Sequence, residues 1–419
     1  MTPPAAPTSP AVVLDAGDDA AFTHAALAAH APRAGRITLH PGPGTTSDTA
    51  LASDLLHALD KPARLPGSFP HGRPPLWEAA TAWTTALAVT RLTVLRAHLL
   101  DQRRLQRLIG LQHQTGIHLT LVVHRPHLTA ALHRALADSD HTTVRTLAEA
   151  RALYLGDAVP PGPPPTAPTP PAPPAALRWI TLDALDRLVS YDSPRPCTAP
   201  CTPKPIVYHQ RPAPLPPTPA QTTRLTERLH TATAHPAHAA ALAAAIATGA
   251  SFQQLTTART DGFHPADHTL TLHDRTRYTD GCAIYPIPAW AAVYLHAAAR
   301  FAHLTSTPHL LAAPTDRPAL LRLAETIRIR PPQLDGEIPQ YPGQTGDVVA
   351  RVHDDRDVRV PGPPALLEVV GASVGWRAVR PVAVGRRSRD EAGASVRARP
   401  AGSSRPQTVR STHGDTCPA

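Results

Sequence analysis

The chain has 419 residues, with 51 prolines, 24 histidines and a formal charge of +9, and its only lysines are Lys61 and Lys204. That length exceeds what one hydrophobic core organises, about 250–300 residues, so two domains plus connecting segments are expected. The 23 glycines follow no Gly-X-Y period, which excludes collagen. The longest apolar stretch, 237–250, is largely alanine, is interrupted by His238 and is too short to span a bilayer, so no membrane partner is expected.

The start, MTPPAAPTSP, has neither the basic head nor the leucine-rich core of a secretory signal, and residues 1–10 read as disordered. Four cysteines do not make a disulfide framework, so a reducing cytoplasm is the expected location. Residues 11–157 read as an α/β domain. A strand at 36–40 (RITLH) runs into the turn PGPGTTS, and a helix at 50–59 carries Leu51, Leu55, Leu56 and Leu59 on one face. A second helical run covers 76–89, a strand 92–95, and an amphipathic helix 99–111 with Arg103, Arg104 and Arg107 on its polar side. The run LTLVV at 119–123 is the clearest buried strand, followed by a helix at 128–136. Alternation of this kind predicts a parallel sheet covered by helices.

Ten of the fifteen residues from 160 to 174 are proline, which fixes φ and removes the backbone donor; 158–214 therefore reads as a semi-rigid linker. Within it, Leu182, Leu185, Leu188 and Val189 fall at helical spacing, marking a short docking helix. Cys197 and Cys201, followed by His209, offer three residues of the types that zinc binds, without an evident fourth. Inert linker cysteines are the weightier reading, and no metal or other cofactor is expected.

Residues 215–330 read as a mainly helical domain. A segment at 217–229 is followed by an alanine-rich helix at 238–248, which Thr248-Gly249 stops. A short helix around Leu255, an acidic turn at Asp261, a strand through Leu270 and Leu272, and IYPIP leading into a helix come next. Composition breaks near 345. Residues 1–344 hold 44 Leu and 11 Val, whereas 345–419 hold 2 Leu and 13 Val. A frame shift in GC-rich coding sequence and a disordered basic tail both account for the break, and 331–419 is assigned no core. Residues 372–419 hold nine arginines and three acids, a net of +6, which leaves +3 of the chain's +9 for residues 1–371. Net charge thus argues only weakly for a nucleic-acid partner.

Two resemblances follow from these patterns. Over 36–137 the order of elements, and the stretch VLRAHLLDQRRLQRLIGLQHQTGIHLTLVVHRPHLTAAL at 94–132, resembles AAA-type P-loop ATPases that assist transposition and secretion. The resemblance implies phosphate binding at the turn, with Gly42, Gly44 and Thr49 as a degenerate nucleotide site. Asp48 stands where the lysine belongs, and Leu95 and Arg96 where the acidic pair belongs, which implies loss of ATP hydrolysis. His124 follows the third of these strands, where such families place a polar sensor. An ordinary strand-to-helix turn remains the alternative for the GPG segment.

Residues 215–303 are similar to the first half of a tyrosine recombinase (phage integrase) catalytic domain. That similarity places Ser251 at the first catalytic arginine, where it cannot stabilise a scissile phosphate. Arg275 or Arg277 falls where a lysine protonates the leaving group, and arginine is a poor acid. An alanine-rich helical domain with an ordinary Thr-Gly stop is the alternative. Together the resemblances imply a non-catalytic DNA-binding or scaffolding protein of a plasmid or other mobile element, with DNA and a recombinase or other mobile-element protein as partners. Arg103, Arg104, Arg107, Arg275 and Arg277 are its candidate phosphate contacts, a solvated helix face being the plainer reading of the first three. An adaptor that binds only protein is the competing class.

Overall fold

A computed structural model of the chain describes residues 9–42, 45–67, 69, 72–156, 179–180, 182, 185, 188, 197, 201–207, 213–273, 282–311 and 313–329. Its first layer is an α/β unit. The strands β1 (Ala11–Leu14), β2 (Arg36–Leu39), β3 (Arg91–Val94), β4 (His118–Val123) and β5 (Thr142–Val144) form one sheet in the order β2-β3-β4-β1-β5, and every pairing is parallel. Parallel strands covered on both faces read as nearly continuous apolar runs, as AVVL and LTLVV do. Val12 and Leu14 join the main core, and Val13 joins a smaller one on the opposite face.

The connecting helices divide between those faces. Phe22 and Ala26 of α1 (Ala20–Ala28) and Ala150 and Tyr154 of α6 (Leu147–Leu155) cover Val13 and Val122. The other face carries α2 (Asp48–Ala58), α3 (Leu76–Ala86), α4 (Gln102–Thr115) and α5 (Ala130–Leu136). The starts of α2, α4 and α5 are written locally. Ser47 accepts the N–H of Ala50 at 3.1 Å, Asp101 that of Arg104 at 2.9 Å, and Thr129 that of Leu132 at 3.4 Å, each supplying a side-chain acceptor for an otherwise unpaired donor. Gly116 ends α4 at φ 72°, a conformation that costs side-chain-bearing residues about 1–2 kcal/mol.

The second layer follows the order read from sequence. It runs α7 (Pro219–Ala232), α8 (Pro236–Thr248), the single turn α9 (Phe252–Leu255), then α10 (Ala289–Thr305) and α11 (Arg317–Thr326). A small sheet accompanies these helices. It contains β6 (Lys204–Pro205), β7 (Phe263–His264), β8 (Thr269–Leu272) and β9 (Ala283–Pro286) in the order β6-β9-β8-β7, with β8–β9 antiparallel. Nearly every residue of α8 is buried, which its alanines permit by letting neighbouring helices approach on all sides. Two histidines at its start are buried as well: His235 and His238 stack with centroids 3.9 Å apart, and His238 Nε2 lies 3.5 Å from Asp316.

The two sequence blocks meet along α3, α8 and α10 and contribute to one hydrophobic core. Trp83 is fully buried at this junction. Its indole N–H donates to the Ala234 carbonyl at 2.8 Å, and its ring meets Tyr294 edge-on at 6.0 Å. Lys61, 2% exposed, lies over the Trp83 ring and donates to the His230 carbonyl at 2.8 Å. Burial holds its amine well below the usual lysine range. Four apolar side chains of the proline-rich segment are also packed. Ile180, Leu182, Leu185 and Leu188 enter the main core, and the Ile180 N–H donates to the Arg328 carbonyl at 3.0 Å. Val189 and His209 lie outside the described residues, as do 1–8 and 330–419. No helix among the described residues is long and apolar enough to cross a membrane.

Candidate functional site

Strand order places the crevice of the first layer. β1 and β4 are neighbours, yet the chain leaves β1 for the α1 face and β4 for the α5 face. Ligands of open α/β sheets bind at such a reversal, beyond the carboxyl ends of the strands. Leu14 pairs with Val123, and the Asp15 N–H donates to the Val123 carbonyl at 2.9 Å. The next residues along the two strands, Asp15 and His124, are thereby held side by side at the strand tips.

Both side chains are buried. His124 Nδ1 lies 2.8 Å from Asp15 Oδ2 and 3.2 Å from Asp18 Oδ1. Asp15 Oδ1 accepts the Asp19 N–H at 3.0 Å, and Asp19 in turn caps α1 through the Ala21 N–H at 2.8 Å. Asp18 stands at φ 50°, a left-handed turn that aspartate tolerates better than most residues. From the end of β3 come Arg96, 3.8 Å from Asp18, and His98, whose ring meets His124 edge-on at 6.1 Å. Burial lowers the His98 pKa first, with Arg125, His124 and Arg96 adding to the effect, which favours neutral imidazole.

Two consequences follow for chemistry. A carboxylate on Nδ1 sets the tautomer and orientation of His124, leaving Nε2 as the acceptor. That Nε2 and the His98 Nδ1 are buried without hydrogen-bond partners. Asp15, Asp18 and His124 also gather three donor atoms within 4.8 Å of one another. The crevice is poorly suited to a polyphosphate. Its loop presents Asp15, Asp18 and Asp19, and both lysines are elsewhere, Lys61 under Trp83 and Lys204 in β6.

The sequence-derived nucleotide turn lies at a different place. It follows β2, the edge strand, rather than a strand at the reversal. Gly42 and Thr45 form a turn there, with the Thr45 N–H on the Gly42 carbonyl at 3.0 Å, and Thr49 lies in the first turn of α2; Gly44 is outside the described residues. The arginines of α4 face this same turn. Arg103 pairs with Asp48 at 2.9 Å, Arg107 approaches it at 3.9 Å, and Arg104 bonds the Thr45 carbonyl and Asp101. The structure therefore brings two separately predicted sites together as partners of each other. Arg275 and Arg277 are outside the described residues.

In the second layer, Ser251 is fully buried and forms a reciprocal cap with Gln254: its Oγ accepts the Gln254 N–H at 3.3 Å, and Gln254 Oε1 accepts the Ser251 N–H at 3.0 Å. Gly249, at φ 63°, closes α8 as an αL stop. Sequence reasoning singles out His124 but misses Asp15, Asp18 and His98. The available signal is the apolar run AVVL followed by the turn DAGDD, a short strand with a polar exit. No protein-family model matches the chain, and searches of curated proteins and of solved structures find no match.

Proposed function

We propose that this protein is a non-catalytic scaffold of a DNA-associated assembly, belonging to a plasmid or other mobile element and built on an ATPase-like α/β layer and a recombinase-like helical layer. The observation that carries the non-catalytic half of the reading is the crevice at the β1–β4 reversal. Three carboxylates and a carboxylate-bound histidine stand where phosphate chemistry needs lysine and backbone donors. The buried cap made by Ser251 supports the same reading in the second layer, because a helix start occupies the position the resemblance assigns to a phosphate-clamping arginine. DNA binding rests on exposed guanidinium groups: the Arg103 and Arg107 side chains remain 76% and 51% exposed despite their pairing with Asp48.

The test is a fluorescence titration of duplex DNA across a salt series. It compares the full chain, a chain ending at Arg351 and the full chain carrying Arg103→Ala with Arg107→Ala. Salt-dependent binding is expected in the first two, and removing the two arginines should lower the salt slope by about 1 for each phosphate that is no longer neutralised. Binding that needs residues beyond Arg351 would assign it to the arginine-rich tail. No binding at low salt would leave the protein–protein adaptor, a reading favoured by the pairing of Arg103 and Arg107 with Asp48 and of Arg104 with Asp101.

A further inference from the structure

We infer that Cys197, Cys201, Cys282 and His273 form a closed tetrahedral zinc site that pins the proline-rich segment to the β8–β9 hairpin. The three sulfurs lie within 4.8 Å of one another, although Cys201 and Cys282 are 81 positions apart in the chain. None of the three is in a disulfide. His273 immediately follows β8, and its Nδ1 lies 3.3 Å from the Cys201 sulfur. Zinc bonds of about 2.3 Å to sulfur and 2.0–2.1 Å to nitrogen, at tetrahedral angles, set S···S near ~3.8 Å and S···N near ~3.6 Å. The Cys201–His273 pair is already at such a separation, and a small shift of the His273 ring toward Cys197 and Cys282 completes the tetrahedron.

The backbone fixes this convergence from both sides of the segment. The Cys197 N–H donates to the His273 carbonyl at 3.0 Å, and the Lys204 N–H donates to the Cys282 carbonyl at 3.1 Å. Ile206 continues the register with a 3.0 Å bond to the Ile284 carbonyl, so β6 runs parallel to β9. Arg259 donates to the Cys197 carbonyl at 3.1 Å, placing a guanidinium beside a donor set that carries one net negative charge once three thiolates have bound a divalent ion. Cys197-x3-Cys201 has the ligand spacing of structural zinc sites, and three thiolates with one imidazole suit zinc over hard cations. Cys197 and Cys282 are buried and four protein ligands leave no open position, so the role is structural. A proline-rich strand is short of backbone donors, and coordination supplies anchoring that ladder hydrogen bonds cannot.

The test uses the full chain purified from zinc-supplemented culture, with elemental analysis and cobalt(II) substitution. One zinc per chain is expected, together with a thiolate-to-cobalt charge-transfer band and the intense visible absorption of a tetrahedral centre. Cys282→Ser and His273→Ala should each weaken zinc binding at least tenfold, whereas Cys417→Ser should leave it unchanged. Because the first two variants risk misfolding, alkylation of the unmodified chain gives an independent readout. Zinc should slow labelling of Cys197, Cys201 and Cys282 together and leave Cys417 unaffected. Substoichiometric zinc, a cobalt spectrum without the thiolate band, or equal labelling rates with and without zinc would each overturn the assignment.

Discussion

Asp15 and Asp18 reach the same nitrogen of His124, at 2.8 and 3.2 Å, but only one of them is shielded from water. The side chains of Asp15 and His124 are 3% and 1% exposed, whereas that of Asp18 is 56% exposed. Asp15→Ala removes two hydrogen bonds to a charged acceptor, from His124 and from the Asp19 N–H, each contributing about 1.5–3 kcal/mol. It also leaves the buried imidazole with one solvated partner for its Nδ1–H, and a buried donor left poorly paired costs about 1–3 kcal/mol. Because these figures overlap, the expected loss is about 3–5 kcal/mol, a large share of the roughly 5–15 kcal/mol that holds a typical domain folded. The control is Asp18→Asn, which tolerates the left-handed backbone and removes charge only from the solvated contacts to Arg96 and His124, for a loss of about 0–1 kcal/mol. Urea unfolding followed by far-UV circular dichroism measures both, from midpoints at constant slope. Equal losses for the two variants, or a loss below about 1 kcal/mol for Asp15→Ala, would refute the argument that burial at the strand tips preorganises this pair.

Trp83→Ala should cost at least the roughly 3–5 kcal/mol typical of a truncated buried aromatic, because the Ala234 carbonyl and the Lys61 amine lose their partner as well. In urea unfolding the sheet and the helical layer should be destabilised together; loss of helix with an unchanged sheet transition would show that the shared core does not couple them. Acid should destabilise the fold. Burial lowers the pKa of His235 to about 3 and that of His230 to about 4, so between those values and about 6.5 the unfolded chain binds protons that the native chain refuses. Asp316, held low first by its hydrogen bond with His238, adds the same sign below about 3.9, since its carboxylate must be protonated. Stability should therefore fall steadily from about pH 6.5 downward, and His235→Phe should flatten that slope in pH-dependent urea titrations.

Much of the architecture is legible in the sequence because its signals are local. The helix expected at 50–59 is Asp48–Ala58, that at 76–89 is Leu76–Ala86, and the strand at 92–95 is Arg91–Val94. The Thr-Gly stop, the short Ser251 helix and the hairpin before Pro288 also occur in the order read. The central strand β1 escapes such a reading for a physical reason. Four consecutive apolar residues buried on both faces carry no period, and only their neighbours in the sheet distinguish a central strand from an apolar patch. Without β1, the first visible strand is the edge strand β2, and the expected nucleotide turn falls after it.

The sequence alone determined where α2 to α5, α8 and the strands β2 to β4 fall, that nucleotide and strand-cleavage signatures are absent, and that Cys197 and Cys201 stand at a ligand-like spacing. Only the tertiary structure decided which residues meet. Strand order carried Asp15 to His124, the placement of α4 beside the start of α2 gave Arg103 and Arg107 to Asp48, and the β8–β9 hairpin delivered His273 and Cys282 to the earlier cysteines. Periodicity and capping report on a chain's nearest neighbours. The convergence of donor atoms from distant parts of the chain is set by how buried faces find one another, and that information is spread over the whole core.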